Sequence, residues 1–179
     1  MRPSDFLRIA AALLISVPAA AAQQPLETRG AWQLVPDGAD FALRTGAVGA
    51  TDTTLSLSCR KEQQGYVLAL KSPALAGRAI GEDIRISFKV DGGDQTFFNF
   101  TTGPDGTIPI AHQTAFWIMY PALTRSDAKA VAFTAADHSW QFSLDGLREL
   151  TPALSERCGL ELAQPEPKRP QAGPAAPGR

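Results

Sequence analysis

This chain of 179 residues is poor in the residues that usually carry chemistry, with two cysteines and two histidines. Neither His112 nor His138 stands at a ligand spacing from Cys59 or Cys158, so no metal site is expected. No serine lies in a G-x-S-x-G elbow, which removes the simplest hydrolase signature. Basic residues form no cluster, and the formal net charge is only −1, which argues against nucleic acid as a partner. No apolar run approaches the roughly 20 residues that a membrane-spanning helix needs, and no internal repeat is visible. No cofactor motif is found: the two glycines of "DGGD" (Asp91–Asp94) precede a strand pattern and read as a turn, whereas a phosphate cradle opens a helix.

What is present sorts into three parts. The opening "MRPSDFLRIAAALLISVPAAAAQQ" has Arg2 and Arg8 in a charged start, an apolar run from Ile9 to Val17, and an A-x-A site at Ala20 and Ala22. It reads as a cleaved signal peptide, residues 1–22, which predicts export to a periplasm and a product that does not span the membrane. The end, residues 163–179, holds five of the 14 prolines and no large aliphatic side chain. Such a segment buries too little apolar surface to offset its ordering entropy, which predicts a disordered tail. Between them, residues 29–162 suffice for one core.

In an oxidising compartment Cys59 and Cys158 are expected to pair. Closing a loop of about 100 residues contributes up to about 4.7 kcal/mol in the chain-entropy model.

Within the domain the apolar residues mostly alternate, as half-buried antiparallel strands require. "TLSLSC" aligns Leu55, Leu57 and Cys59; "GYVLALK" aligns Tyr66, Leu68 and Leu70; the polar "RKEQQG" between them predicts a hairpin. "DIRISFKV" sets Ile84, Ile86, Phe88 and Val90 on one face, Arg85, Ser87 and Lys89 on the other. "TFFNF" then breaks the pattern, because Phe97, Phe98 and Phe100 cannot share a face. A three-residue loop, Asp91 to Gly93 with Gly93 left-handed, sets Ile86 opposite Phe98 and Ile84 opposite Phe100, so the apolar faces coincide. Phe97 then points outward with Arg85 and Asn99. It is either a contact residue or is covered by a helix, the N-terminal segment or a second sheet.

Further along, "GPDG" (Gly103–Gly106) predicts a type I turn before a "TIPI" strand. "HQTAFWIMYPALTRSD" predicts a short helix with Phe116, Met119, Tyr120 and Leu123 apolar, interrupted near Pro121. "KAVAFTA" and "HSWQFSL" form a hairpin around Asp137, with Trp140, Phe142 and Leu144 inward. "DGLRELTPALSERCG" predicts a helix capped by Asp145, with Leu147, Leu150, Leu154 and Cys158 on one stripe, Pro152 bending or restarting it with Thr151 as second cap, and Gly159 ending it. "AWQLV" and "DFALRT" add one or two edge strands. The fold class is therefore mainly β: an antiparallel sandwich or curled sheet with one or two short helices, tied by one disulfide.

Chemistry is sparse. "DHS" at Asp137–Ser139 has triad residue types, but neighbours in a hairpin turn do not make a triad by adjacency. Glu82 and Asp83 point to opposite strand faces and do not form an acid and base pair. "NFT" at Asn99 matches a glycosylation sequon, which matters only in a eukaryotic secretory pathway. No catalytic residue is assigned.

The order "LSLSC", "FKVDGG", "TIPI", an apolar helix, "WQFSLDGL" and "SERCGL" resembles the VasI/TagO-like exported proteins associated with type VI secretion. The matching positions are Cys59, Val90 to Gly93, Phe142 with Gly146 and Leu147, and Cys158 with Gly159. They span Leu55 to Leu160. The sequence departs from that family by having Lys89 and Val90 where an arginine-led turn is expected, and by its proline-rich tail. It is also similar to the invasion-associated locus B family, through "VDGG", a short strand and a late "LDGL". That family has a cysteine pair after the turn, which "TTGPDGTI" lacks. Either resemblance implies a non-enzymatic periplasmic accessory protein that binds an envelope partner. A periplasmic hydrolase using His138 or the carboxylates is the alternative from another class.

Overall fold

The computed structural model describes residues 24–110 and 113–162. The leader (1–22), the tail (163–179) and His112 lie outside the described residues. Ten strands and two helices follow in the order β1 (Glu27–Arg29), β2 (Trp32–Asp37), β3 (Asp40–Ala47), β4 (Ala50–Arg60), β5 (Gly65–Lys71), β6 (Asp83–Val90), β7 (Thr96–Thr101), β8 (Thr107–Ile110), α1 (Gln113–Leu123), β9 (Ala130–Ala135), β10 (His138–Ser143) and α2 (Leu147–Cys158). They make two antiparallel sheets, ordered β1-β2-β3-β4-β5-β8 and β10-β9-β6-β7. Mainly antiparallel β with two helices is the expected class.

Period-two alternation explains the core. Leu43, Leu55, Leu57, Leu68, Leu70, Ile108 and Ile110 from the larger sheet meet Ile84, Ile86, Phe88, Val131, Phe133 and Phe142 from the smaller one in one apolar cluster. Phe133 is fully buried and touches both Phe88, 6.2 Å away, and Phe142, 6.1 Å away. Trp32 joins the sheets by a polar contact as well, its indole N–H donating to the Ser143 carbonyl at 2.8 Å.

"AWQLV" and "DFALRT" are more than edge strands. β2 and β3 are interior, the short β1 forms the edge beside them, and paired backbone begins where Leu26 N–H donates to Leu34. Trp32, fully buried, and Leu34 fill the core from β2, so that strand needs a neighbour on each side.

The disulfide is formed: Cys59, at the end of β4, and Cys158, at the end of α2, are bonded with Cα atoms 6.2 Å apart. α2 runs unbroken through Pro152. Its buried stripe of Leu147, Leu150, Thr151, Leu154 and Cys158 holds both halves on the core, while Pro152 is exposed. Thr151 is therefore no second cap; its hydroxyl donates back to the Leu147 carbonyl at 2.8 Å. α1 likewise continues past Pro121 to Leu123, and Thr124 closes it on the Tyr120 carbonyl with its N–H (3.0 Å) and hydroxyl (2.9 Å).

The cap of α2 differs from expectation too. Gly146, not Asp145, is the N-cap, and no side chain caps the helix. Asp145 is occupied elsewhere: its carbonyl accepts from Ala31 N–H at 3.0 Å, locking the β1–β2 turn against the helix start. Gly146 has φ +91, and a Cβ there would sit 1.9 Å from the Arg29 carbonyl oxygen. Only glycine fits. "GPDG" is no type I turn, since Asp105 has φ 55; the chain there is held to the 3₁₀ turn at Pro73–Leu75, where Ser72 N–H donates to Gly106 at 3.1 Å.

Candidate functional site

The β6–β7 hairpin places the outward candidates. Its ladder sets Ile86 opposite Phe98, Ile84 opposite Phe100, Arg85 opposite Asn99 and Ser87 opposite Phe97. That register is the one that aligns the apolar faces. The turn reaches it differently from expectation. Asp91 and Gly92 both have positive φ and Gly93 does not, and Gly93 N–H donates to the Val90 carbonyl at 2.9 Å. Positive φ at both central residues is the type I′ pattern that Asp-Gly favours. The extra residue is taken up after Gly93, so register survives although the left-handed glycine is Gly92.

Asp91 also has a second task. Its Oδ1 accepts from the backbone N–H groups of Lys129, at 3.0 Å, and Ala130, at 2.9 Å, and Oδ2 faces Arg125 Nη2 at 3.6 Å. The carboxylate thus fixes the start of β9 beside β6. The Asp-Gly pair that carried a family resemblance therefore has a structural reason to exist.

Phe98 and Phe100 turn inward, where Phe98 stacks on Phe88 (6.1 Å) and meets Phe100 at a tilt (5.9 Å). Phe97 faces out with 48% of its surface accessible, and no described element covers it. The guanidinium of Arg85 lies over its ring, 4.3 Å from the centroid. Cation–π contacts at exposed sites are worth about 0.5–1 kcal/mol, enough to orient the pair. Beside it Gln95 Nε2 donates to Ser87 Oγ at 2.6 Å, and Asn99 is exposed in the next row. Arg85, Phe97 and Asn99 are therefore brought together on one solvent-facing patch along the edge strand β7.

The remaining polar candidates are scattered. His138 is exposed at the β9–β10 turn and stacks on Trp140, 5.7 Å between centroids. It makes no hydrogen bond to another described side chain, and neighbouring Ser139 accepts instead from Thr134 at 3.2 Å. Glu82 pairs with Arg78 and accepts from Ala79 N–H at 3.3 Å, while Asp83 is separate and exposed. Among the described residues no three His, Cys, Asp or Glu side chains come together as a metal would require.

One cluster escaped sequence reasoning. Tyr66 of β5 donates its hydroxyl to the Leu160 carbonyl at 2.6 Å, and Ser155 of α2 donates to the same oxygen at 2.5 Å. Burial pushes the Tyr66 phenol above its ordinary range, opposed by the Ser155 hydroxyl. Tyr120 is raised for the same reason, opposed by the Thr151 hydroxyl and reinforced by Tyr66. The two tyrosines tie β5, α1 and α2 together. Next to them Trp117 of α1 stays 41% exposed, and Ile118 47%. The helical stripe of Phe116, Met119, Tyr120 and Leu123 leaves positions 117 and 118 off the buried face, which is the signal that could have found them.

Among the described residues, no helix is long and apolar enough to cross a membrane. Compared with family models, curated proteins and solved structures, the chain matches none of them.

Proposed function

We propose that this protein is a non-enzymatic accessory module of the bacterial envelope, exported to the periplasm, that binds a protein partner through the outer face of the four-stranded sheet. The observation that carries this reading is the Phe97–Arg85 pair. An aromatic ring left open on a sheet, with an arginine already positioned over it, has the composition of an interface anchor, where aromatic residues and Arg are enriched. Asn99 and Gln95 supply hydrogen-bonding groups around it, as the rim of such an interface does. Export is supported by the signal-like leader and by the disulfide, which persists in an oxidising compartment. The order of short motifs is similar to that of VasI/TagO-like proteins, which favours a partner in a type VI secretion assembly.

The test is crosslinking and affinity capture of tagged protein from its native periplasm, comparing wild type with Phe97→Ser. Type VI envelope components recovered with wild type and lost with the variant, at unchanged melting temperature, are the expected result. Identical recovery with both proteins would remove the Phe97 face from the interaction. Outer-membrane proteins unrelated to that apparatus would favour the invasion-associated reading.

A further inference from the structure

Away from the Phe97 face, a cleft of about 360 Å³ opens between the tip of the β4–β5 hairpin, α1 and the segment after α2. That volume lies at the lower end of the ~300–1,000 Å³ range of small-ligand sites. Trp117 and Phe116 line it with aromatic surface, and Gln63, Gln64 and Glu161 line it with polar groups.

Trp117 differs from the chain's other tryptophans. Trp32 and Trp140 are buried in the core at 0% and 8% exposure, whereas Trp117 is 41% exposed. Its ring is nevertheless held. Phe116 meets it edge-on at 5.1 Å and Tyr120 at 6.4 Å, and these two rings stack on each other at 5.4 Å. The indole plane is thus set before any ligand arrives, which lowers the ordering cost of binding.

The polar part of the lining suits hydroxyl groups. Gln64 sits in the left-handed region at φ 49 and ψ 44, ending the 3₁₀ turn Lys61–Gln63 at the hairpin tip. That backbone state is uncommon outside glycine, and it places two successive amides at the cleft. Each amide offers two donors and an acceptor, and Glu161 adds a carboxylate acceptor. None of the three side chains pairs with another described residue.

We infer that this cleft binds a neutral saccharide. A pyranose has an apolar C–H face that fits a flat indole and a rim of hydroxyls that both donate and accept, which amides and a carboxylate satisfy together. Charge decides between ligand classes. Among the described residues Glu161 is the only charged one lining the cleft, so phosphate and carboxylate ligands meet a like charge that no described lining cation offsets. A purely apolar ligand would leave three polar side chains desolvated and unpaired, at a cost of about 1–3 kcal/mol each. The inference does not rest on the Phe97 reading, because the two sites share no residue.

The full chain can be titrated with two uncharged probes, the N-acetylglucosamine trisaccharide and cellotetraose, while following the three indole N–H resonances by NMR. The expected result is a saturable shift of the Trp117 resonance alone with at least one probe. Trp117→Ala should weaken binding by about tenfold or more, as loss of an aromatic platform implies, and Gln64→Ala should weaken it less. Because Trp117 is exposed, melting temperature should change little in the first variant. The inference is overturned if neither probe shifts Trp117, or if binding measured by calorimetry persists unchanged in Trp117→Ala.

Discussion

The outer faces of the two sheets obey different rules. On the six-stranded sheet the outward rows carry Arg44, Thr54, Ser56 and Arg60, with Asp37 of β2 bridging the arginines at 3.9 and 3.1 Å, beside a row of small side chains, Val35, Ala42 and Ser58, that their neighbours bury. On the four-stranded sheet the outward row runs Phe97, Ser87, Thr134. The first face is what half-buried antiparallel strands present to water: short hydroxyls and exposed ion pairs, the latter worth little in stability. The second contains an aromatic ring that alternation alone would have made polar. Inner faces follow from burying apolar surface, so they say little about function; an exception on an outer face does.

That contrast can be broken at its inner layer first. Phe133→Ala removes a fully buried ring from the centre of the smaller sheet and should cost about 3–5 kcal/mol, read from chemical denaturation. An effect near that of a surface change would mean that the sheets are not packed through Phe133. Replacing both Cys59 and Cys158 with alanine tests the bond that ties α2 to the larger sheet, and a loss of about 2–5 kcal/mol is expected; equal stability of oxidised and reduced wild type would contradict it.

Alkali should act on the larger-sheet side through Tyr66 and Tyr120. Both phenols are raised in the folded state above the ordinary value of 10.0, chiefly by burial. The native state therefore keeps protons that the unfolded chain gives up. Their contribution is whole below pH 10.0 and is lost as pH rises through the raised values. Melting temperature followed across that window should fall, and Tyr120→Phe should flatten the fall. A flat profile in wild type would contradict the burial of the phenols.

The smallest expected effect belongs to the outer face. Phe97→Ser should change stability by no more than about 1 kcal/mol, the worth of an exposed cation–π contact. A loss as large as that of Phe133→Ala would show that something covers this face in solution.

Several of these features are local in origin and were legible. The hairpin register follows from Ile84, Ile86, Phe98 and Phe100 having to share a face, so it was predictable even though the turn was misassigned to a left-handed Gly93. The disulfide followed from having two cysteines behind a leader that reads as an export signal. Misreadings arose where distant chain intrudes. Asp145 has a good capping side chain, but the β1–β2 turn claims its backbone and leaves no room for a Cβ at Gly146. Pro121 and Pro152 disfavour helix locally, yet burial of the residues around them outweighs the missing hydrogen bonds. The Trp117 cleft went unseen because its walls come from β5, α1 and the segment after α2, which no periodicity relates.

By itself, the sequence determined which residues face inward, because the strand period of two and the cost of exposing apolar surface act over neighbours. It also determined that Phe97 must point away from Phe98 and Phe100. Whether that outward ring meets water or a further layer was decided by the tertiary structure alone, since covering depends on which segments return to that face and not on the strand's own pattern. The same holds for the exposed indole of Trp117. Its rigid setting is made by rings and a hairpin that only packing brings together.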